Sequence, residues 1–129
     1  MYAVAITRSF VAQHYLTVPE PGPEGRLHSH HYTVEATLRG PELDDFGYLV
    51  DIDDLEAAIE DVVSRSRDRT LNDLEGLEGV NPSVEHFCRL FGDRLCAHPE
   101  FDPGSATALE VSMWEDDVAR VSHERSLEE

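Results

Sequence analysis

Apolar and polar residues alternate over two long segments near the N-terminus, which predicts two β-strands. Residues 2–14 carry apolar side chains at most even positions, interrupted by Arg8, and residues 28–39 continue the pattern. Because successive strand side chains point to opposite faces, the even positions of both strands should share the buried face of one sheet. Residues 16–25, "LTVPEPGPEG", hold three prolines and two glycines and therefore predict a loop.

Two later segments have apolar residues at helical spacing. Residues 52–66 follow Asp51, which can cap a helix, and the second helix begins at "NPSVEH", with Asn81 as its predicted cap and Pro82 at its first position. The buried stripe predicted for the first helix is Ile52, Leu55, Ile59, Val62 and Val63. The stripe predicted for the second helix is Val84, Phe87, Cys88, Phe91 and Leu95.

Two short strands are predicted near the C-terminus, at residues 106–115 and 118–125, with the acidic turn "EDD" between them. The resulting order of elements is ββααββ. We therefore predict an α+β fold, with an antiparallel four-stranded sheet and two helices on one face. A length of 129 residues fits one domain, residues 1–129, with a core of its own.

Charge narrows the classes of partner. The formal net charge is −17, and all ten basic residues are arginines. Such a surface repels phosphate backbones and anionic lipid, so we expect neither nucleic acid nor membrane as a partner. The sequence contains no apolar run of about 18 residues and no secretory signal at its start, which indicates a cytoplasmic protein. Cys88 and Cys96 are predicted to be core thiols and not a disulfide or a metal pair.

Strand parity separates the histidines of "RLHSHHY". His28 and His30 share the parity of the buried face, as does His14 at the end of the first strand, whereas His31 should point to solvent. Three imidazoles with a vacant fourth position describe a catalytic zinc site, and the alternative is a set of hydrogen-bonded core histidines. The other histidines have no spacing signal and are expected on the surface or on a helix: His86, His98 and His123.

Glu115 ends the apolar face of the third strand in "ALEVSMWED". A carboxylate held there would pair with an arginine or accept hydrogen bonds from a ligand. The alternative is that Glu115 begins the turn and is solvated.

An ordered set of short motifs resembles the 6-pyruvoyl-tetrahydropterin synthase and 6-carboxy-tetrahydropterin synthase family. "FVAQH" is similar to F-x-A-x-H of that family, "RLHSHHY" to H-G-H-x-Y, "TLND" to L-N-D, "NPSVEH" to P-T-x-E-N and "MWED" to its final W-E-T. The order and spacing agree over roughly residues 4–123.

The resemblance implies a tunnelling fold, in which ββααββ subunits form a homo-oligomer, a trimer or a hexamer, with active sites between subunits. It also implies that His14, His28 and His30 bind Zn2+ and that Glu115 binds the amino-pyrimidine edge of a small-molecule pterin. The family reaction acts on the side chain of 7,8-dihydroneopterin triphosphate. Arg26, with Arg67 and Arg69, is expected to lie near the site and to meet the phosphates.

The acid–base groups depart from the family pattern. Glu24 stands where the family has a cysteine base, and "RDRTLN" has no relay histidine, so that Asp68 is the candidate substitute. Three functions stay open: a zinc-dependent lyase of the 6-carboxy-tetrahydropterin type, on the route to modified tRNA bases such as queuosine; a glutamate-type cleavage that gives 6-hydroxymethyl-dihydropterin; and a zinc-containing protein that binds a pterin or purine without catalysis.

Overall fold

The computed structural model describes residues 1–128 and contains four strands and two α-helices. They are β1 (Tyr2–His14), β2 (His28–Gly40), α1 (Ile52–Ser64), α2 (Val84–Ala97), β3 (Ala108–Glu115) and β4 (Ala119–Ser126). Single 3-10 turns occur at Gly22–Gly25 and Leu71–Asp73. Neither α-helix of the described part has the length and apolar content that crossing a membrane requires.

The strands form one antiparallel sheet in the order β1-β2-β3-β4, so the predicted α+β fold is confirmed. In the β1–β2 register His14 lies opposite His28, and Ala12 lies opposite His30. In the β2–β3 register Tyr32 lies opposite Glu115. The register therefore brings the ends of three strands to one corner of the sheet.

The core lies between the helices and the predicted apolar face of the sheet. Tyr32 is fully buried, and its ring centroid is 5.3 Å from that of Phe87 on α2. Phe87 also packs edge-on against Phe10 of β1, at a centroid distance of 5.9 Å. Burying an aromatic side chain of this size contributes roughly 1.5–3 kcal/mol. The contacts of Phe87 thus hold α2 next to the corner where the histidines lie.

Two details of the helices differ from the sequence predictions. Asp51 caps α1 as predicted, since its side chain accepts a hydrogen bond from the Asp54 backbone N–H at 3.1 Å. The cap of α2 is Ser83 and not Asn81, and Asn81 Oδ1 instead accepts from the Thr17 backbone N–H at 2.9 Å. Pro82 consequently precedes the cap. Ile52, predicted to be buried, is 49% exposed because it opens α1 before the helix reaches the sheet.

Cys88 and Cys96 are both free thiols on α2, as predicted. Cys88 is buried, and its thiol donates a hydrogen bond to the Val111 carbonyl at 3.1 Å. Burial raises the pKa of Cys88 to about 11. A thiol of this kind packs as a small apolar group that stays protonated at neutral pH.

Candidate metal centre

Three histidine side chains converge at the end of the β1–β2 pair. One nitrogen from each of His14, His28 and His30 lies within 4.8 Å of the nitrogens of the other two. The ring centroids are 4.6 Å apart for His14 and His28, 5.0 Å for His14 and His30, and 4.8 Å for His28 and His30. His31, which has the opposite parity, is exposed. Strand parity therefore correctly separated His31 from the three histidines that lie together.

Backbone carbonyls hold two of the rings. Nδ1 of His14 is 2.8 Å from the Pro82 carbonyl oxygen, and Nδ1 of His28 is 2.7 Å from the Arg26 carbonyl oxygen. Because a carbonyl oxygen only accepts hydrogen bonds, both Nδ1 atoms must carry a proton. In the neutral rings Nε2 is then the atom with a free lone pair.

A carboxylate holds the third ring. Nδ1 of His30 donates to Asp116, the first residue after β3, and the same carboxylate accepts from the His31 backbone N–H at 2.9 Å. Burial opposes ionisation of Asp116, but the bonds from His31 and His30 together lower the pKa of this carboxyl below its ordinary value. Strand parity could not identify Asp116, because it lies in the turn. The sequence feature that could have indicated Asp116 is its position, because it is an acidic residue directly after β3 and β3 pairs with β2.

The donor set fits a divalent transition metal. Nε2 of His28 is buried and has no hydrogen-bond partner among residues 1–128. A buried nitrogen without a partner is costly, and binding a metal removes that cost. Three neutral imidazoles whose second nitrogens are hydrogen-bonded are typical of catalytic zinc sites. Burial also holds the pKa of His14 below its ordinary value, which keeps its ring in the neutral form that a metal needs.

The remaining histidines lie elsewhere. Nε2 of His98 donates to Asp61 at 2.8 Å, and this bond is the main reason that the pKa of Asp61 lies below its ordinary value. The side chain of His98 is only 11% exposed, so it is a bonded residue at the end of α2 and not a surface one. His86 and His123 are exposed, as expected.

Glu115 faces the histidines from the neighbouring strand. Its Oε1 atom lies 3.8 Å from Nε2 of His30, and its side chain is 24% exposed. Burial raises the pKa of the Glu115 carboxyl; His30 opposes this increase, and Asp116 and Glu24 add to it. No arginine of the described chain forms an ion pair with Glu115, and its side chain is partly withdrawn from solvent. The carboxylate is available to a ligand.

Glu24 reaches the same place from the loop. Together with His14 and Glu115 it lines a cleft of about 170 Å³, whose other walls are Leu16, Asn81, Ser83, Val84 and Glu85. Glu24 itself lies in the 3-10 turn and is exposed. The residue in the position of the family cysteine therefore lines the same cleft as His14 and Glu115.

The other predicted groups are not brought to this cleft within one chain. Asp68 is exposed, has φ of 59°, and donates its backbone N–H to the Val11 carbonyl at the outer edge of β1. Arg67 is bound to Glu60 of α1 at 3.1 Å, so the expectation that it lies near the histidines is wrong for the single chain. Arg26 and Arg69 are exposed.

The hydroxyl of Tyr32 lies next to the site, although strand alternation predicts only that this even position of β2 is part of the core. The ring of Tyr32 is 5.9 Å from that of His30, and its hydroxyl is buried without a partner among residues 1–128. Burial, with Glu115 and Asp116 nearby, raises the pKa of Tyr32. A phenol that stays protonated at neutral pH thus lies behind His30.

Comparisons with known proteins show the family of this chain. The sequence model of the family described as 6-pyruvoyl tetrahydropterin synthase matches residues 3–126. A protein of Bacillus subtilis (strain 168) named 6-carboxy-5,6,7,8-tetrahydropterin synthase is 29% identical over 109 residues, which cover 81% of this chain and 72% of that protein.

Solved structures show the same fold. The 6-pyruvoyl tetrahydropterin synthase of Caenorhabditis elegans superposes with a TM-score of 0.78 at 20% identity, over 98% of each chain. The synthase of Plasmodium vivax, solved with a glutamate described as a catalytic residue replaced by alanine, has a TM-score of 0.76 at 17% identity, over 98% of this chain and 100% of that one. The family match extends over nearly the whole sequence, and the chain belongs to the 6-pyruvoyl tetrahydropterin synthase family.

Proposed function

We propose that this protein is a zinc-dependent lyase that acts on the side chain of 7,8-dihydroneopterin triphosphate or a related pterin. The observation that carries the proposal is the convergence of His14, His28 and His30 beside the carboxylate of Glu115. The resemblance to the Bacillus subtilis protein, named for its 6-carboxy product, favours that product.

Glu115 is the proposed anchor for the pterin. An ionised carboxylate can accept two parallel hydrogen bonds, from the 2-amino group and the adjacent ring N–H of the pterin. Partial burial of Glu115 lowers the competition of water for those bonds. Its position beside His30 would place the side chain of the bound pterin at the three histidines.

Zinc held by the three histidines would lower the pKa of a side-chain hydroxyl of the substrate. Glu24 is the proposed base, since its carboxylate lines the cleft with His14 and can take a proton from that side. The Plasmodium vivax synthase, which has a glutamate described as catalytic, gives a precedent within the fold.

The second acid–base group is proposed to be Asp68. It does not line the cleft of its own chain, so this role requires that Asp68 approach the cleft of a neighbouring subunit. The cleft of about 170 Å³ is smaller than the roughly 300–1,000 Å³ of most ligand pockets, which supports a site completed between subunits. The outer edge of β4 is unpaired within the described chain and is suited to strand pairing in a homo-oligomer, a trimer or hexamer. We propose that this homo-oligomer is a cytoplasmic protein.

The position of Glu24 favours one second candidate, the glutamate-type cleavage that gives 6-hydroxymethyl-dihydropterin. Both reactions begin from the same bound pterin and need the same metal. Both products keep one side-chain carbon, and they differ in the oxidation level of that carbon and of the ring, so only product analysis separates them.

The test is product analysis after incubation of the zinc-loaded protein with 7,8-dihydroneopterin triphosphate. A 6-carboxy product would support the first candidate, and a 6-hydroxymethyl product would support the second. Unchanged substrate, with one zinc per chain measured by elemental analysis, would contradict both and leave a protein that binds a pterin or purine without turnover. The matched control is the same preparation after removal of zinc by a chelator.

A further inference from the structure

The β3–β4 turn places one carboxylate in a fixed position beside the histidine strand. The Asp116 backbone N–H donates to the His31 carbonyl at 2.7 Å, and its Oδ1 accepts from the His31 backbone N–H at 2.9 Å. Asp116 has φ of 55°, a conformation in which aspartate and asparagine are more common than most residues. The two bonds to His31 leave Oδ2 directed at Nδ1 of His30.

This arrangement makes His30 different from the other two histidines. Nδ1 of His14 and of His28 meets a neutral backbone carbonyl, whereas Nδ1 of His30 meets a carboxylate. A carboxylate acceptor draws the Nδ1 proton more strongly, which fixes the tautomer and makes Nε2 a better metal donor. The side chain of His30 is 13% exposed and that of Asp116 is 45% exposed, so the bond links a largely buried ring to a carboxylate at the surface.

We propose that Asp116 is a positioning residue that holds His30 with its proton on Nδ1 and thereby raises the affinity of the three-histidine site for zinc. The inference rests on the proposed function in one respect, that the site binds a metal. Asp116 lies in the turn after β3 and is not itself a proposed metal ligand. It would affect metal affinity through its hydrogen bond to His30.

Asp116→Asn is the decisive variant. The two bonds of Asp116 use different oxygens, Oδ1 for the His31 N–H and Oδ2 for His30 Nδ1, and an amide has only one oxygen to put in those two places. If the oxygen stays on His31, the NH2 group faces Nδ1 of His30. It then favours the tautomer with the proton on Nε2, and a protonated Nε2 has no lone pair for a metal. Asp117→Asn is the matched control, because Asp117 has a similar φ of 57° and its carboxylate is not bonded to any of the three histidines in the described chain.

The first measurement is the zinc dissociation constant, obtained by competition with a chelator. Asp116→Asn should weaken zinc binding by about 10–100-fold. Asp117→Asn should change it by no more than about twofold. Equal affinities for the two variants would overturn the proposal.

The second measurement is made on metal-free protein, by 15N NMR of the His30 ring. The wild-type ring should carry its proton on Nδ1, and Asp116→Asn should move the proton to Nε2; an unchanged tautomer would also overturn the proposal. A purely structural role for Asp116 would lower metal-free stability without this change in the ring. If Asp116→Asn folds poorly, Asp116→Ser replaces it, because a serine hydroxyl can accept from the His31 N–H and leaves His30 without a carboxylate.

The two measurements separate this proposal from the proposed function. If wild-type protein binds no zinc, the proposed function fails and the part of this inference that concerns affinity fails with it, while the NMR result still decides whether Asp116 sets the tautomer. If zinc binds and Asp116→Asn binds it equally well, this inference alone fails.

Discussion

Oε1 of Glu115 lies 3.8 Å from Nε2 of His30, the nitrogen that would bind a metal. The register explains this proximity, because Glu115 lies opposite Tyr32, two residues along β2 from His30 and on the same face. The proposed pterin anchor and the proposed metal ligand are thus held at a fixed separation by the sheet itself. A ligand that contacts Glu115 therefore lies next to His30.

Glu115→Gln should weaken pterin binding and leave zinc in place. The amide loses the charge that strengthens both hydrogen bonds, and bonds to charged groups contribute about 1.5–3 kcal/mol, so we expect about 10–100-fold weaker binding of neopterin by calorimetry. Glu110→Gln is the control, since Glu110 lies on the same strand but is bound to Arg39 at 3.3 Å on the other face. Equal neopterin affinity in the two variants would exclude Glu115 as the anchor.

His28→Ala and His30→Ala should each lose zinc, whereas His31→Ala should retain it. The first two remove a nitrogen from the converging set, and His31 points away from that set. Elemental analysis of the purified variants, with circular dichroism to show that each is folded, provides the measurement. Loss of zinc from His31→Ala to the same extent would contradict the assignment of ligands by strand parity.

Strand periodicity predicts the parts of this protein that depend on side-chain direction. Two-residue alternation was sufficient to separate His31 from His28 and His30, because a sheet has only two faces. Helical spacing predicted α1 and α2 for a similar reason, since an apolar stripe must face the core.

The remaining features depend on geometry that side-chain patterns do not record. The carbonyls of Pro82 and Arg26 orient two of the histidines, and a backbone carbonyl is present at every position of a chain. Asn81 and Ser83 are equally good caps by residue type, and in the structure Asn81 accepts from Thr17 while Ser83 caps α2. Asp116 follows the end of a strand, where alternation no longer applies.

Glu24→Gln should lower kcat by about 10²–10⁴-fold, because an amide cannot accept the proton. Zinc content and neopterin binding should stay close to those of the wild type, since Glu24 is proposed to act after binding. Glu85→Gln is the control, as Glu85 lines the same cleft and carries the same charge. A similar decrease in kcat for both variants would indicate a general effect of charge in the cleft and would exclude Glu24 as the specific base.

Arg26→Gln should raise KM for the triphosphate substrate without changing KM for dephosphorylated dihydroneopterin. Arg26 is exposed next to His28 and is free to meet phosphates, whereas Arg67 is bound to Glu60 at 3.1 Å. Arg67→Gln is therefore expected to leave both KM values unchanged. Steady-state kinetics with the two substrates test whether Arg26 meets the phosphates. An equal increase in KM for both substrates in Arg26→Gln would contradict that role.

Ionisation of Cys88 should make stability decrease at alkaline pH. Its folded pKa of about 11 lies above the value of about 8.5 for an unfolded cysteine, so the folded state binds the proton more tightly. The associated stability is fully present below about pH 8.5 and is lost as pH rises toward 11, by roughly 3 kcal/mol in all. Urea unfolding of wild type and Cys88→Ala at pH 7.5 and pH 10.5 provides the measurement. The alanine variant should start less stable and lose less between the two pH values; an equal loss in both proteins would show that Cys88 is not the group responsible.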